Sequence, residues 1–300
     1  MITGNYKLSF EDYLSDPCPH PSLSRSTIID LLDSPARAWW KHPRLNPPSE
    51  DADEETGDKK FDPGKAAHSL FLEGVDKVVV VDPLDHPGAK GAIPKGWTTN
   101  EMREVRDIIR DAGKIPLLPR QYKNVCEMVA VAANAIRECT ELGITNLRTE
   151  GDSELSYIWQ EKNGIWCRCR PDWISKDRKL ICDFKTTGKS ANPMFLDKHI
   201  SSMGYEVQES FYRRGVKAVE GTEPTFIFIF QEVEPPYLCS FVSLSSQFQD
   251  MGEQKVKKAI KIWEECLSTG VWPGYPKNIY CADAPAWALT TWEMNKYGGQ

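Results

Sequence analysis

Two carboxylates and one ammonium stand close together between Arg170 and Thr187. Asp172 follows Pro171, and Asp183 and Lys185 lie two positions apart farther on. Residues two apart on a strand share a face, so Asp183 and Lys185 project the same way. Their segment, Leu180-Ile181-Cys182-Asp183-Phe184-Lys185, is apolar at most positions on both faces, the pattern of a buried central strand. Charges buried there without partners are costly, and a divalent metal together with a phosphate would compensate them.

The upstream arm, Ile165 to Asp172, reads as the first strand of a tight hairpin, with Ser175-Lys176-Asp177-Arg178 as its polar turn. Alternation puts Trp166, Arg168, Arg170 and Asp172 on one face and Cys167, Cys169 and Pro171 on the other. Proline tends to sit at a strand end or bulge, which would let Asp172 turn toward the site. Closing the hairpin then brings Asp172 near Asp183. Two converging carboxylates are hard oxygen ligands, suited to Mg²⁺ or Mn²⁺ rather than zinc. Lys185 could hold a scissile phosphate or steer an attacking water. A solvated hairpin with an Asp-x-Lys ion pair fits the same letters. The Pro-Asp step and the apolar flanks of Asp183 are what favour a metal site.

Other residues carry two readings each. His68 lies in the apolar helical stretch Ala66 to Leu72, whose small residues would let the helix approach a sheet closely; it is a ligand or a hydrogen-bonded core histidine. Gln208 and Tyr212 stand four apart on one face of a helix expected over 205–219. They form an ordinary helix pair, or a glutamine amide orienting a phosphate or water with the tyrosine bracing it. Glu154 alternates with Ser156 and on its own reads as a solvated strand position.

Pro171-Asp172 followed by Asp183-Phe184-Lys185 resembles the PD-(D/E)xK nuclease signature. Gly64-Lys-Ala-Ala-His68, Cys-Arg-Cys-Arg-Pro-Asp172, Asp183-Phe-Lys-Thr-Thr187 and Gln208-Glu-Ser-Phe-Tyr212 occur in that order. In this the chain resembles RecE-type exonucleases, the exonuclease VIII family of phage and prophage recombination, from about Leu23 to Tyr275. The resemblance implies an Mg²⁺-dependent 5′-to-3′ exonuclease acting on double-stranded DNA ends, related to the RecB nuclease domain, with Mn²⁺ as a substitute ion. It makes His68, Asp172 and Asp183 metal ligands, with Glu154 as a further acidic position on the strand before the hairpin. Lys185 becomes the catalytic lysine, and Gln208 and Tyr212 match the motif beside the active site. It also implies a toroidal tetramer and a single-strand annealing protein as partner.

The chain's 300 residues carry a net charge of −6, which disfavours indiscriminate coating of DNA. Basic residues must then be concentrated along the DNA path. Arg168 and Arg170, aimed with Asp172 by alternation, are the candidate DNA contacts, whereas Lys176 to Lys179 read as a solvated face. Nine scattered cysteines, an odd count, fit reduced thiols, and the wide spacing of Cys239, Cys266 and Cys281 argues against an iron–sulfur cluster. No apolar run is long enough for a bilayer and no signal-peptide pattern opens the chain, which together suggest the cytoplasm of a bacterial host.

The order of elements predicts an α/β fold with a central mixed β-sheet flanked by helices. A single domain would span 1–275, including an acidic loop at about 47–62, and 276–300 would form a tail. Helices are expected over 99–112, 119–138, 205–219 and 245–267, and a short one over 27–32, capped by the serines of the run before it and ended by Ser34-Pro35. Strands are expected over 154–160, 165–172, 179–185, 225–233 and 238–244. Two other functions stay open: an endonuclease with the same metal core, and a non-catalytic DNA-binding recombination module.

Overall fold

The computed structural model describes residues 1–47, 63–74, 77–88 and 91–297, so nearly all of the expected acidic loop lies outside the described residues. The apolar run from Leu180 forms β8 (Leu180–Thr187), the middle strand of a five-stranded sheet. Beside it lie β9 (Thr225–Glu232), which is parallel, and β7 (Trp173–Ser175), which is antiparallel. The edges are β10 (Cys239–Val242) and β4 (Gly151–Ser153), both antiparallel to their neighbours. The sheet is mixed, as predicted. Alternation along β8 sends Ile181 into one core and Cys182 and Phe184 into the other, leaving Asp183 on the side of Ile181.

Helices cover both faces. A parallel step from β8 to β9 needs a crossover, and α8 (Asp197–Met203) with α9 (Tyr205–Glu220) supplies it. Val207, Phe211 and Val216 of α9 share a core with Phe226, Phe228 and Phe230 of β9. Behind α9 lies α10 (Ser246–Thr269), and α2 (Arg25–Asp33) with α3 (Pro35–Lys41) closes that side. On the opposite face α4 (Pro63–Leu72) and α6 (Pro119–Glu138) place Phe71, Ala132 and Ile136 against Trp173, Phe184 and Ile229. A smaller antiparallel sheet contains β1 (Gly4–Tyr6), β5 (Ser156–Gln160) and β6 (Trp166–Cys169). A parallel pair, β2 (Val78–Val80) and β3 (Ile115–Leu117), sits apart. The remaining α-helices among the described residues are α1 (Phe10–Leu14), α5 (Asn100–Asp111), α7 (Leu147–Glu150) and α11 (Ala286–Tyr297).

One expected strand is two. The run 165–172 breaks after Cys169: β6 pairs with β5 in the small sheet, and β7 begins at Trp173 in the large one. Pro171 lies in the break, where its missing N–H costs no ladder bond. The hairpin is therefore β7–β8. Its turn is held by Ser175 Oγ, which accepts from the N–H groups of Lys179 at 3.1 Å and Leu180 at 3.0 Å. The unexpected α11 leaves Trp287 and Trp292 exposed. All nine cysteines are free, with Cys167 and Cys169 buried as packing residues. Among the described residues no helix is long and apolar enough to cross a membrane.

Candidate active site

Asp183 is fully buried in the middle of β8, and both of its carboxylate oxygens are engaged. Oδ1 pairs with Lys185 Nζ, and Oδ2 accepts from Gln208 Nε2 on α9. Asp172 lies between Pro171 and β7, where its Oδ2 accepts the Phe184 N–H at 2.7 Å. The β7–β8 hairpin thus brings Asp172 against β8 beside Asp183.

Two further groups arrive from elsewhere. His68 on α4 places Nε2 3.2 Å from Asp172 Oδ2 and 3.9 Å from Glu154 Oε1. The helix comes this close because Gly64 has no side chain: a Cβ there would lie 2.1 Å from Thr186 Oγ1 at the end of β8. Glu154 sits in the junction between β4 and β5 rather than within a strand. Its φ of 55° is left-handed, a conformation that non-glycine residues seldom hold, and its N–H donates to the Asp172 carbonyl at 3.0 Å. That bend turns the carboxylate back toward His68.

One ligand atom each from His68, Glu154 and Asp172 lies within 4.8 Å of the others, so this trio could hold a metal ion. Two hard carboxylates and an imidazole suit a small divalent cation, and Asp183 adds a third buried carboxylate alongside. The electrostatics agree. Burial raises the Asp183 carboxyl, Asp172 adds to it, and it reaches about 6 despite Lys185. Burial and Asp172 likewise lift Glu154 to about 7. For His68 burial opposes the charged form, yet Asp172, Glu154 and Asp183 raise it to about 9. Burial would also raise Asp172, but His68, Lys185 and the Phe184 N–H bring it below the ordinary range. The cluster without a metal holds protons where a cation would put its charge.

Residues 24–285 match the family described as a PDDEXK-like domain of unknown function (DUF3799). The chain belongs to this family. Its fold resembles that of a candidate exonuclease from Eubacterium rectale, with a TM-score of 0.54 and 13% identity over 98% of this chain and 100% of that one. An alkaline exonuclease from Laribacter hongkongensis gives a TM-score of 0.24 and 11% identity over 69% of this chain and 96% of that one. At such identity the first likeness is one of fold alone. No curated protein matches the chain in sequence.

Within this PDDEXK-like domain, His68, Glu154, Asp172, Asp183, Lys185 and Gln208 come together. Tyr212 is buried one turn beyond Gln208 and tilts against Phe226 at 6.3 Å between ring centres. The two arginines depart from expectation. Arg168 is buried, pairs with the buried Asp16 at 3.0 Å and donates to the Tyr13 carbonyl at 3.2 Å, so it is no DNA contact. Alternation failed here because β6 and Asp172 do not share a strand. Arg170 is also turned inward: its Nε lies 2.6 Å from Glu154 Oε2, and its guanidinium lies over the rings of Phe10 and Tyr13. It holds the Glu154 carboxylate. Burial would lower the Lys185 ammonium, but in the metal-free site Asp183 and Asp172 prevail and hold it above its ordinary value.

Sequence reasoning missed Tyr205, whose ring lies 5.1 Å from Lys185 Nζ. The only signal was its place three residues before Gln208, on the same helix face.

Proposed function

We propose that this PDDEXK-like chain is a metal-dependent exonuclease of the RecE type, degrading double-stranded DNA ends 5′ to 3′ in phage or prophage recombination. The observation that carries this reading is the convergence of His68, Glu154 and Asp172 beside the buried Asp183–Lys185 pair. Those four acidic and imidazole groups would hold Mg²⁺, with Mn²⁺ as a substitute. Bound there, the ion supplies Lewis acidity, acidifying water and neutralising charge on a phosphate.

The chain's own residues do the positioning. Asp183 anchors Lys185 from a central strand, and Gln208 fixes the other oxygen of that carboxylate. Lys185, held beside Asp183, donates to a phosphate oxygen and orients the nucleophile. Arg170 steadies Glu154. Beside Glu154 and Arg170 opens a cavity of about 510 Å³ whose walls carry Lys7, Lys77 and Arg148 together with the carboxylates of Glu73 and Asp152. Binding through phosphates gives steep salt dependence and little sequence preference. The RecE-type reading extends to one domain through residue 275, a ring of four chains and a single-strand annealing protein as partner.

The test is digestion of linear and covalently closed duplex DNA, with Mg²⁺ or EDTA, using separate 5′ and 3′ end labels. Metal-dependent release of 5′-labelled nucleotides from linear DNA, with the circle intact, is the expected result. A cut circle would mean an endonuclease. No metal-dependent loss of either substrate would mean a DNA-binding module.

A further inference from the structure

Tyr205 opens α9, and two cations lie over its ring. Lys185 Nζ is 5.1 Å from the ring centroid, and the guanidinium carbon of Arg25 is 5.9 Å from it. The ring is firmly held. It stacks on Phe228 at 5.3 Å and 26°, meets Phe230 at 6.0 Å, and receives the edge of His199 at 5.7 Å. In the parallel register of β8 and β9, Phe228 pairs with Asp183 and Phe230 with Lys185. An aromatic platform therefore rises from β9 directly beside the two charged residues of β8.

Helix α2 packs against this platform. Arg25, the first residue of α2, donates to the carbonyl of Met203, the last residue of α8. Gly204, between α8 and α9, has a φ of 63°, and a Cβ there would lie 2.6 Å from Ile29 Cδ1 on α2. Only glycine satisfies both the left-handed backbone and that approach. The segment Ser24-Arg25-Ser26 thus has a task beyond capping its helix.

A lysine ammonium on a flexible four-carbon stem can swing about a single carboxylate partner. The Asp183 oxygen limits its distance in one direction, and the face of Tyr205 closes another at cation–π range. Resting on the nuclease reading, we propose that Tyr205 is the positioning residue for Lys185, and that its π-face rather than its hydroxyl holds the ammonium where the phosphate arrives. Arg25 and Gly204 hold the ring in register. Tyr205 is only 7% exposed, so its removal acts on turnover rather than on DNA affinity.

The test is to place phenylalanine and then mono-, di- and trifluorophenylalanine at position 205, because fluorination drains the ring's negative face with little change of shape. Phenylalanine should keep kcat within about threefold of wild type, since the ring quadrupole survives. The mono-, di- and trifluoro rings should lower kcat in graded steps, reaching about 5- to 30-fold at trifluoro, with KM and melting temperature nearly constant. A flat series overturns the proposal. So does a loss already complete with Tyr205→Phe, which would assign the role to the hydroxyl. A wild-type chain that cleaves no DNA with Mg²⁺ defeats the nuclease reading itself, and is thereby distinct from a flat series in an active enzyme.

Discussion

His68 Nε2 lies 3.2 Å from Oδ2 of Asp172, the same oxygen that accepts the Phe184 N–H. One carboxylate oxygen therefore joins α4, the Pro171–Asp172 step and β8. The candidate metal site depends on this junction, because His68 and Asp172 come from separate motifs far apart in the chain.

Protons should leave when the metal binds. His68 at about 9 is charged at neutral pH and Glu154 at about 7 is half protonated, whereas ligation needs both deprotonated. Titration calorimetry with Mn²⁺ at pH 7, in buffers of different ionisation enthalpy, should report release of at least about one proton per chain. His68→Gln should reduce that release. Binding with no proton release would contradict the assignment of His68 as a ligand.

The same histidine links stability to pH. Its folded value of about 9 lies above the ordinary ~6.5, so its contribution is complete below about pH 6.5 and is lost as pH rises through 9. The raised carboxyls of Asp183, at about 6, and Glu154, at about 7, lose theirs at lower pH. Between about pH 7.5 and 8 the slope therefore belongs mainly to His68, before the buried thiols of Cys18, Cys167, Cys169, Cys182 and Cys239, all pushed up by burial, add their own loss near pH 9. Chemical denaturation of the metal-free protein should show a fall on the order of 1 kcal/mol from pH 7 to pH 8. His68→Gln should flatten it, and an equal slope in that variant would refute the link.

Much of this was legible in the letters. β8 could be read because it is one uninterrupted buried strand, so alternation placed Asp183 and Lys185 correctly. The helix at 119–138 was read to the residue, its start marked by proline. Arg168 was misread because its partner, Asp16, comes from a distant segment that no local period reveals. Glu154 looked like a strand residue since a left-handed φ leaves no mark in a polar–apolar pattern. Tyr205 was hidden among ordinary helix-face residues, and only the parallel register of β8 and β9 exposes its relation to Lys185.

Gly64 should tolerate no side chain. In Gly64→Ala the new Cβ meets Oγ1 of Thr186 at 2.1 Å and its Cβ at 2.8 Å, which forces α4 away from β8. A loss of roughly 1–3 kcal/mol in thermal or urea unfolding is expected for such overpacking, with weaker Mn²⁺ binding as His68 withdraws. A variant of unchanged stability and affinity would show that α4 is not held by this contact.

Arg168 should behave as a structural residue. Arg168→Met leaves Asp16 buried beside His42 and Ser22 without its guanidinium partner. Breaking a buried pair in this way costs about 3–5 kcal/mol. Unfolding measurements should show that loss, while DNA affinity of the folded fraction stays at wild-type level. Weakened DNA binding at full stability would restore Arg168 as a DNA contact.

The central claim is that the buried Asp183–Lys185 pair and the adjoining His68, Glu154 and Asp172 form a metal-dependent nuclease centre. Its most direct measurement is the release of acid-soluble nucleotide from linear duplex DNA by wild type and Asp183→Asn, purified side by side, with Mg²⁺ and with EDTA. The asparagine keeps the shape but loses the charge that holds Lys185 and a cation. Wild type should digest the DNA only with Mg²⁺, and Asp183→Asn should be slower by at least about a thousandfold while still binding DNA. Digestion by the variant at the wild-type rate would contradict the account.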